Sequence, residues 1–359
     1  MAFITGDEHR ERVERCAQVL AREGLDCLIA LPGSTFTYFT GLRFARERFR
    51  LLVAIIGFDG RVWLLGPTFE EDKLKSGPLE ADVITWTDED DQYGRVADTI
   101  WRPFGSRPKI GLEPTTNYFH FLGLGRAMRK AKIRECSAAT DRLRAIKSEA
   151  EVACLREAAR RTRERMERVP SRLEAGMTEV ELARLFGPGA MVQFGPTTSM
   201  PNEGAGERKL EPGDPVVIDA GDRVEGYRSD LTRTFLYGEP SKRLREVYRV
   251  VDDAEQAAIE AARPGEPAEV VDLAARQVIE RAGFGEYFTH RGGHGIGLDF
   301  HDLPICVAGN QEPLEPGMVI TTEPGIYLPG EFGVRLEDDI LVTDRGPEPI
   351  SERGPLYRV

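Results

Sequence analysis

The sequence predicts two domains: an α/β domain over the first third of the chain, then an α+β domain built from two similar halves. Three observations carry this. The chain has 359 residues, more than one ordinary core organises. Its first 136 residues alternate short apolar runs with helical periodicity. Its last 150 residues use one phrase twice: Leu210-Glu211-Pro212-Gly213 before Pro215–Ile218 and Asp219, and Leu314-Glu315-Pro316-Gly317 before Met318–Thr322 and Glu323. In both copies the acid lies six residues after the glycine. Each is followed by a turn-rich stretch and a second strand-like segment with its own acid, Asp230 and Glu337.

In chain order, residues 7–24 place Val13, Cys16, Val19 and Leu20 at helical spacing and end on Gly24, a natural C-cap. Asp26–Leu31 reads as a buried strand. Arg50–Phe58 and Arg61–Leu65 flank Asp59-Gly60, a two-residue hairpin signal. Further strands at Val83–Trp86, Lys109–Leu112 and Lys132–Cys136 alternate with helices near 91–101 and 116–130. His9 and His120 stand alone and read as surface or capping residues. The first domain is expected over 1–136, a linker over 137–145 and the second domain over 146–359.

Ser148 and Glu151 form a capping box that opens a long helix to about Arg172, and Thr178 with Glu181 forms another, whose helix stops at Gly187-Pro188-Gly189. Two more helices are expected at 241–262 and 267–282, between the two acid-bearing hairpins.

Composition excludes several classes. A net charge of −12 argues against nucleic acid, which needs a basic face. The longest uncharged apolar run, Leu51–Phe58, is far short of a membrane span, and the N-terminal residues lack a signal-peptide pattern. The five scattered cysteines, without a CxxC, read as buried free thiols of a cytoplasmic protein.

The chemistry lies in the doubled unit. Asp219 and Asp230 are eleven residues apart, Glu323 and Glu337 fourteen, and a hairpin in each half would set each pair on adjacent strands. Four buried carboxylates cannot ionise together without cations, and two divalent ions bridged by carboxylates resolve this. The alternative is that they pair with Arg228, Arg233 and Arg335. His294, in Gly292-Gly293-His294-Gly295-Ile296-Gly297, supplies an imidazole in a frame of glycines, with His301 seven residues on. One imidazole among oxygens favours Mn²⁺ or Co²⁺, with Zn²⁺ the lesser alternative.

These residues and their flanking text (IDAG, GYRSDLTRTF, GHGIGL, TTEPGIY, VRLEDD) resemble the pita-bread metallopeptidases, the family of methionine aminopeptidase, aminopeptidase P and prolidase. The resemblance covers about 146–359; the first domain is similar to that of the proline-directed branch. It implies a pseudo-two-fold pita-bread catalytic domain that cleaves Xaa-Pro bonds as a dipeptidase, or as an aminopeptidase P on longer peptides. It implies two metal ions per subunit: Asp219 on one, Asp230 and Glu337 bridging both, His294 and Glu323 completing the second. Glu323 would take the proton of the attacking water, His301 would contact substrate, and Arg335 would orient Glu337 or its neighbours. A small peptide substrate and a homodimer follow from the same resemblance. A relative cleaving another amide bond, or a non-catalytic binding protein on this fold, are the competing readings.

Three departures bear on activity. The proline-histidine pair usual seventeen residues before the first metal Asp is Pro201-Asn202 here, and an amide donates a hydrogen bond without titrating near neutrality. Reduced turnover is expected. Ile305 stands where many prolidases carry an arginine for the dipeptide carboxylate, which shifts weight toward an aminopeptidase. Finally, the segment Thr178–Asn202 is about ten residues shorter than the family pattern, a gap that a loop of a second subunit would fill.

Overall fold

The computed structural model describes residues 3–351, and the chain divides between Arg144 and Ala145 into two compact units. In the first unit six strands form one sheet: β1 (Cys27–Ala30), β2 (Val53–Gly57), β3 (Val62–Pro67), β4 (Asp82–Trp86), β5 (Lys109–Leu112) and β6 (Lys132–Glu135), in the order β4-β3-β2-β1-β5-β6. The Asp59-Gly60 turn joins β2 to β3 in antiparallel register, with Gly60 at φ 80°. The parallel pairs β3–β4, β1–β5 and β5–β6 need crossovers. The helices of this unit are α1 (Gly6–Glu23), α2 (Ser34–Thr40), α3 (Glu71–Lys75), α4 (Gln92–Phe104), α5 (Tyr118–Ala127) and α6 (Ser137–Ala145).

Three expectations change here. Residues 137–145, read as a linker, are helical as α6. His9 and His120 are buried, not on the surface. His9 bonds through Nδ1 with the Tyr38 carbonyl at 3.0 Å, and the His120 ring lies between the Tyr93 hydroxyl at 2.9 Å and the Glu47 carbonyl at 3.1 Å. A lone imidazole is cheap to bury when both nitrogens find partners in the fold. Sequence shows neither partner.

The second unit opens with α7 (Glu149–Met166), capped reciprocally by Ser148 and Glu151. It ends six residues before the expected Arg172. Pro170 has no N–H and disfavours helical geometry at the residue before it. The helix from Thr178, α8 (Glu179–Ala183), is likewise shorter than predicted. There follow β7 (Met191–Phe194), β8 (Pro215–Ala220), the small hairpin β9 (Arg223–Val224) and β10 (Tyr227–Arg228), and β11 (Leu231–Leu236). Helices α9 (Lys242–Ala261) and α10 (Glu269–Arg281) lead to β12 (Gly293–Gly295), β13 (Asp302–Cys306), β14 (Val319–Thr322), β15 (Gly325–Leu328), β16 (Phe332–Arg335), β17 (Asp338–Thr343) and β18 (Gly346–Pro349). All five cysteines are buried and lie outside any disulfide, and no helix among the described residues is long and apolar enough to cross a membrane.

The duplicated phrase is a duplicated structure. In the first half β8 pairs with β11, and the β9–β10 hairpin is inserted between them. In the second half β14 pairs with β17, and the β15–β16 hairpin is inserted. Gly213 and Gly317, the two phrase-ending glycines, take matching left-handed φ values of 97° and 91°. A side chain resists that conformation, so glycine makes the same turn into each strand. Each half thus delivers one acid near the end of its outgoing strand and one just before its returning strand.

Candidate metal centre

The two halves meet in register. Outside the regular ladders, Thr232 and Glu337 form an antiparallel bridge. This joins the sheet β11-β8-β7 to the sheet β13-β12-β14-β17-β18 where the acids emerge. Asp219 lies opposite Thr232 across β8 and β11, so Asp219, Asp230 and Glu337 come together. His294 arrives on β12, beside β14, whose end carries Glu323. Gly293 permits this: a Cβ there would lie 2.0 Å from the Thr321 carbonyl oxygen.

All five predicted ligand residues line one cavity of about 500 Å³, together with Asn202, His301 and Arg335. Side-chain donor atoms of Asp230, His294 and Glu337 lie within 4.8 Å of one another. His294 Nε2 is 3.5 Å from Glu323 Oε1 and 3.9 Å from Asp230 Oδ2. The His294 Nδ1 must carry its proton, because its partner at 3.0 Å is the Gly295 carbonyl, which only accepts. The Nε2 lone pair is therefore left facing the acids, the arrangement by which a hydrogen bond to one ring nitrogen readies the other for a metal. Burial, resisted by that backbone bond, drives the His294 pKa down to about 3, so the ring is neutral at physiological pH.

The carboxylates behave in the opposite sense. Burial, then the charge of Glu337, pushes Asp230 well above the ordinary carboxylate range; burial, then Glu323, does the same to Glu337. Burial takes Glu323 up to about 7, with Arg335 opposing and Asp219 adding. Asp230 Oδ1 is buried without a hydrogen-bond partner. Neither Asp230, Glu323 nor Glu337 has a lysine or arginine ion pair among the described residues. Such a donor set, oxygen-rich with one neutral imidazole and an unsatisfied buried oxygen, fits hard or borderline divalent cations.

The arginine alternative holds for one acid only. Arg335 Nη2 donates to Asp219 Oδ2 at 2.7 Å. It reaches Glu337 through a neighbour: its Nε donates to Thr232 Oγ1 at 3.1 Å, and Thr232 Oγ1 donates to Glu337 Oε2 at 2.6 Å. Arg233 pairs instead with Asp338 at 2.6 Å.

Sequence reasoning missed three participants. Tyr327 OH accepts from Arg335 Nη1 at 3.1 Å and lies 2.8 Å from His290 Nε2. The His290 Nδ1 donates to the Arg291 carbonyl at 2.8 Å, so the Tyr327 hydroxyl must donate to Nε2. Arg335 therefore donates both ways, to Asp219 on one side and through Tyr327 to His290 on the other. Thr232 is the third. Its place opposite Asp219 was readable only once the strand register was known. His301 stands edge-on to His294, with ring centroids 4.3 Å apart. Asn202 lines the cavity, and its amide has no hydrogen-bond partner among the described residues.

Four acids and one imidazole converging between two repeated half-sheets define a metal-dependent hydrolase of the pita-bread fold. The chain belongs to metallopeptidase family M24, whose model matches residues 153–344, and its residues 12–146 match the creatinase/prolidase N-terminal domain. It is 37% identical over 356 residues to a probable dipeptidase PepE of Mycobacterium bovis, covering 94% of this chain and 93% of that one. The prolidase of Thermococcus sibiricus superposes with a TM-score of 0.91 at 32% identity, over 98% and 99% of the two chains. The Xaa-Pro dipeptidase of Bacillus anthracis gives 0.89 at 30% identity, over 98% and 100%.

Proposed function

We propose that the chain is an Xaa-Pro dipeptidase working with two divalent ions, Mn²⁺ or Co²⁺ in preference to Zn²⁺. The observation that carries this is the set of buried acids left without a protein cation around the neutral Nε2 of His294. Asp230 and Glu337 would bridge the pair, Asp219 would hold one ion, and His294 with Glu323 the other. When bound, such a pair supplies Lewis acidity and an activated water.

The remaining steps belong to the chain. Glu323, whose carboxyl burial brings up to about 7, takes a proton and delivers it to the leaving proline nitrogen. His301 flanks the substrate beside the scissile bond. Asn202 donates its amide to the carbonyl oxygen in place of a histidine. Arg335 keeps Asp219 in place through its short bond. A site dedicated to this bond is needed because the tertiary amide has no N–H for a general peptidase to read. Small peptides, a homodimer and the reducing cytoplasm that suits five buried thiols complete the reading.

The test is direct. Purified protein loaded with Mn²⁺ or Co²⁺ is offered Ala-Pro, Ala-Pro-Ala and Ala-Leu, with Glu337→Ala alongside. Wild type should cleave Ala-Pro best and the variant should lose both metal and turnover. Metal uptake without cleavage of either prolyl peptide would sink the proposal. The second reading, an aminopeptidase P, is favoured by Ile305, which puts no charge where a dipeptide carboxylate is often held. Faster cleavage of Ala-Pro-Ala than Ala-Pro would select it.

A further inference from the structure

We propose that Arg291 holds the free carboxylate of the substrate and thereby selects dipeptides over longer chains. The inference rests on the peptidase reading above but not on its preference for proline. A dipeptide carries its negative charge on the residue just past the scissile bond, so the cation that reads it must stand beside the reacting centre. The cavity has two arginines, Arg291 and Arg335. Arg335 is spent: its guanidinium already bonds Asp219, Thr232, Tyr327 and the Pro201 carbonyl. The Arg291 guanidinium makes no hydrogen bond or ion pair among the described residues, and none of its nitrogens is sealed from solvent.

The backbone beneath Arg291 is pinned on every side. The His290 carbonyl accepts from Arg276 Nη2 at 2.9 Å, the Arg291 carbonyl accepts from the His290 ring at 2.8 Å, and the Gly292 carbonyl accepts from the Glu323 N–H at 2.9 Å. A fixed backbone bearing an unengaged guanidinium is a prepared anion site, since little main-chain freedom remains to be lost on binding. Arg291 lines the same cavity as His301 and the five predicted ligand residues.

Charge balance points the same way. Two divalent ions match the four cavity acids, the Arg335 guanidinium is filled by hydrogen bonds within the fold, and the Arg291 charge is left for the substrate. A planar fork facing a carboxylate is the geometry in which arginine binds most strongly.

Wild type, Arg291→Ala, Arg291→Gln and Arg291→Lys would be loaded with the same ion and assayed on Ala-Pro and on its carboxamide. The alanine variant should raise KM for Ala-Pro about 10- to 100-fold with kcat little changed, collapsing the preference for acid over amide. Lysine should restore part of that preference, as a charge without the fork. Glutamine keeps length and polarity and guards against a folding defect. Calorimetric binding of proline and prolinamide gives a readout independent of turnover: wild type should prefer proline, and the alanine variant neither. Equal losses on acid and amide, or a wild type indifferent to the free carboxylate, would overturn the assignment. Should the wild type cleave Ala-Leu but not Ala-Pro, the proline reading falls, and the same acid-against-amide comparison on Ala-Leu still decides Arg291.

Discussion

Thr232 and Glu337 are joined three times. The Thr232 N–H donates to the Glu337 carbonyl at 3.3 Å, the Glu337 N–H donates to the Thr232 carbonyl at 3.1 Å, and Thr232 Oγ1 donates to Glu337 Oε2 at 2.6 Å. The backbone pair locks the two repeats in register, and the side-chain bond aims a carboxylate of the second repeat at the acids of the first. Fold and site therefore share one joint.

Thr232→Val tests that joint. Valine fills the same volume but removes the acceptor of Arg335 Nε and the donor to Glu337. Unfolding free energy should fall by about 1–3 kcal/mol, since buried polar groups are left unpaired. Divalent-ion affinity should weaken about tenfold, because a partner that orients a ligand is gone. Chemical denaturation and calorimetric metal titration measure both. Unchanged affinity would show that the threonine serves the sheet alone.

Asp230→Asn should cost stability only when metal is bound. In chelator, removing one of several mutually repelling buried acids should leave the melting temperature equal to wild type or raise it. In saturating Mn²⁺ the wild type should gain stability by mass action and the variant should gain much less. A variant less stable than wild type in both conditions would contradict the electrostatic account.

The metal-free protein should lose stability as pH rises toward 7 through Glu323. Its folded pKa, brought up to about 7 mainly by burial, exceeds the value of about 4.3 in an unfolded chain. Between those values the folded state binds more protons, so the Glu323 contribution to stability is greatest below the unfolded value and is lost as pH rises through the folded one. Denaturant titrations across this window, with and without Glu323→Gln, isolate the effect. A Glu323→Gln variant with the same pH slope as wild type would refute it.

Asn202→His should raise kcat/KM on Ala-Pro. Removing one oxyanion donor costs about 100- to 1,000-fold in kcat elsewhere, and an amide recovers part of that, so a gain of about tenfold is expected. Unchanged kcat/KM would mean that position 202 does not reach the scissile carbonyl.

Much of the molecule was legible because local chemistry repeats. The hairpin at Asp59-Gly60, the capping boxes at Ser148 and Thr178, and the doubled Leu-Glu-Pro-Gly phrase each express a short-range rule, and each has its counterpart in the structure. Short-range rules failed where a long-range partner intervened. His9 and His120 looked solitary, yet carbonyls and a hydroxyl 27 to 73 residues away make their burial affordable.

By itself, then, the sequence determined the two-domain plan, the repeat, and the five side chains that gather at the cavity, because spacing on a strand dictates which acid emerges where. The tertiary structure alone decided how those side chains are held. The bridge between Thr232 and Glu337, the grip of Arg335 on Asp219, the turn of the His290–Tyr327 pair and the unengaged Arg291 all join residues from different strands and loops. Register between distant segments sets such contacts, and register is a property of the packed sheets that no single segment carries.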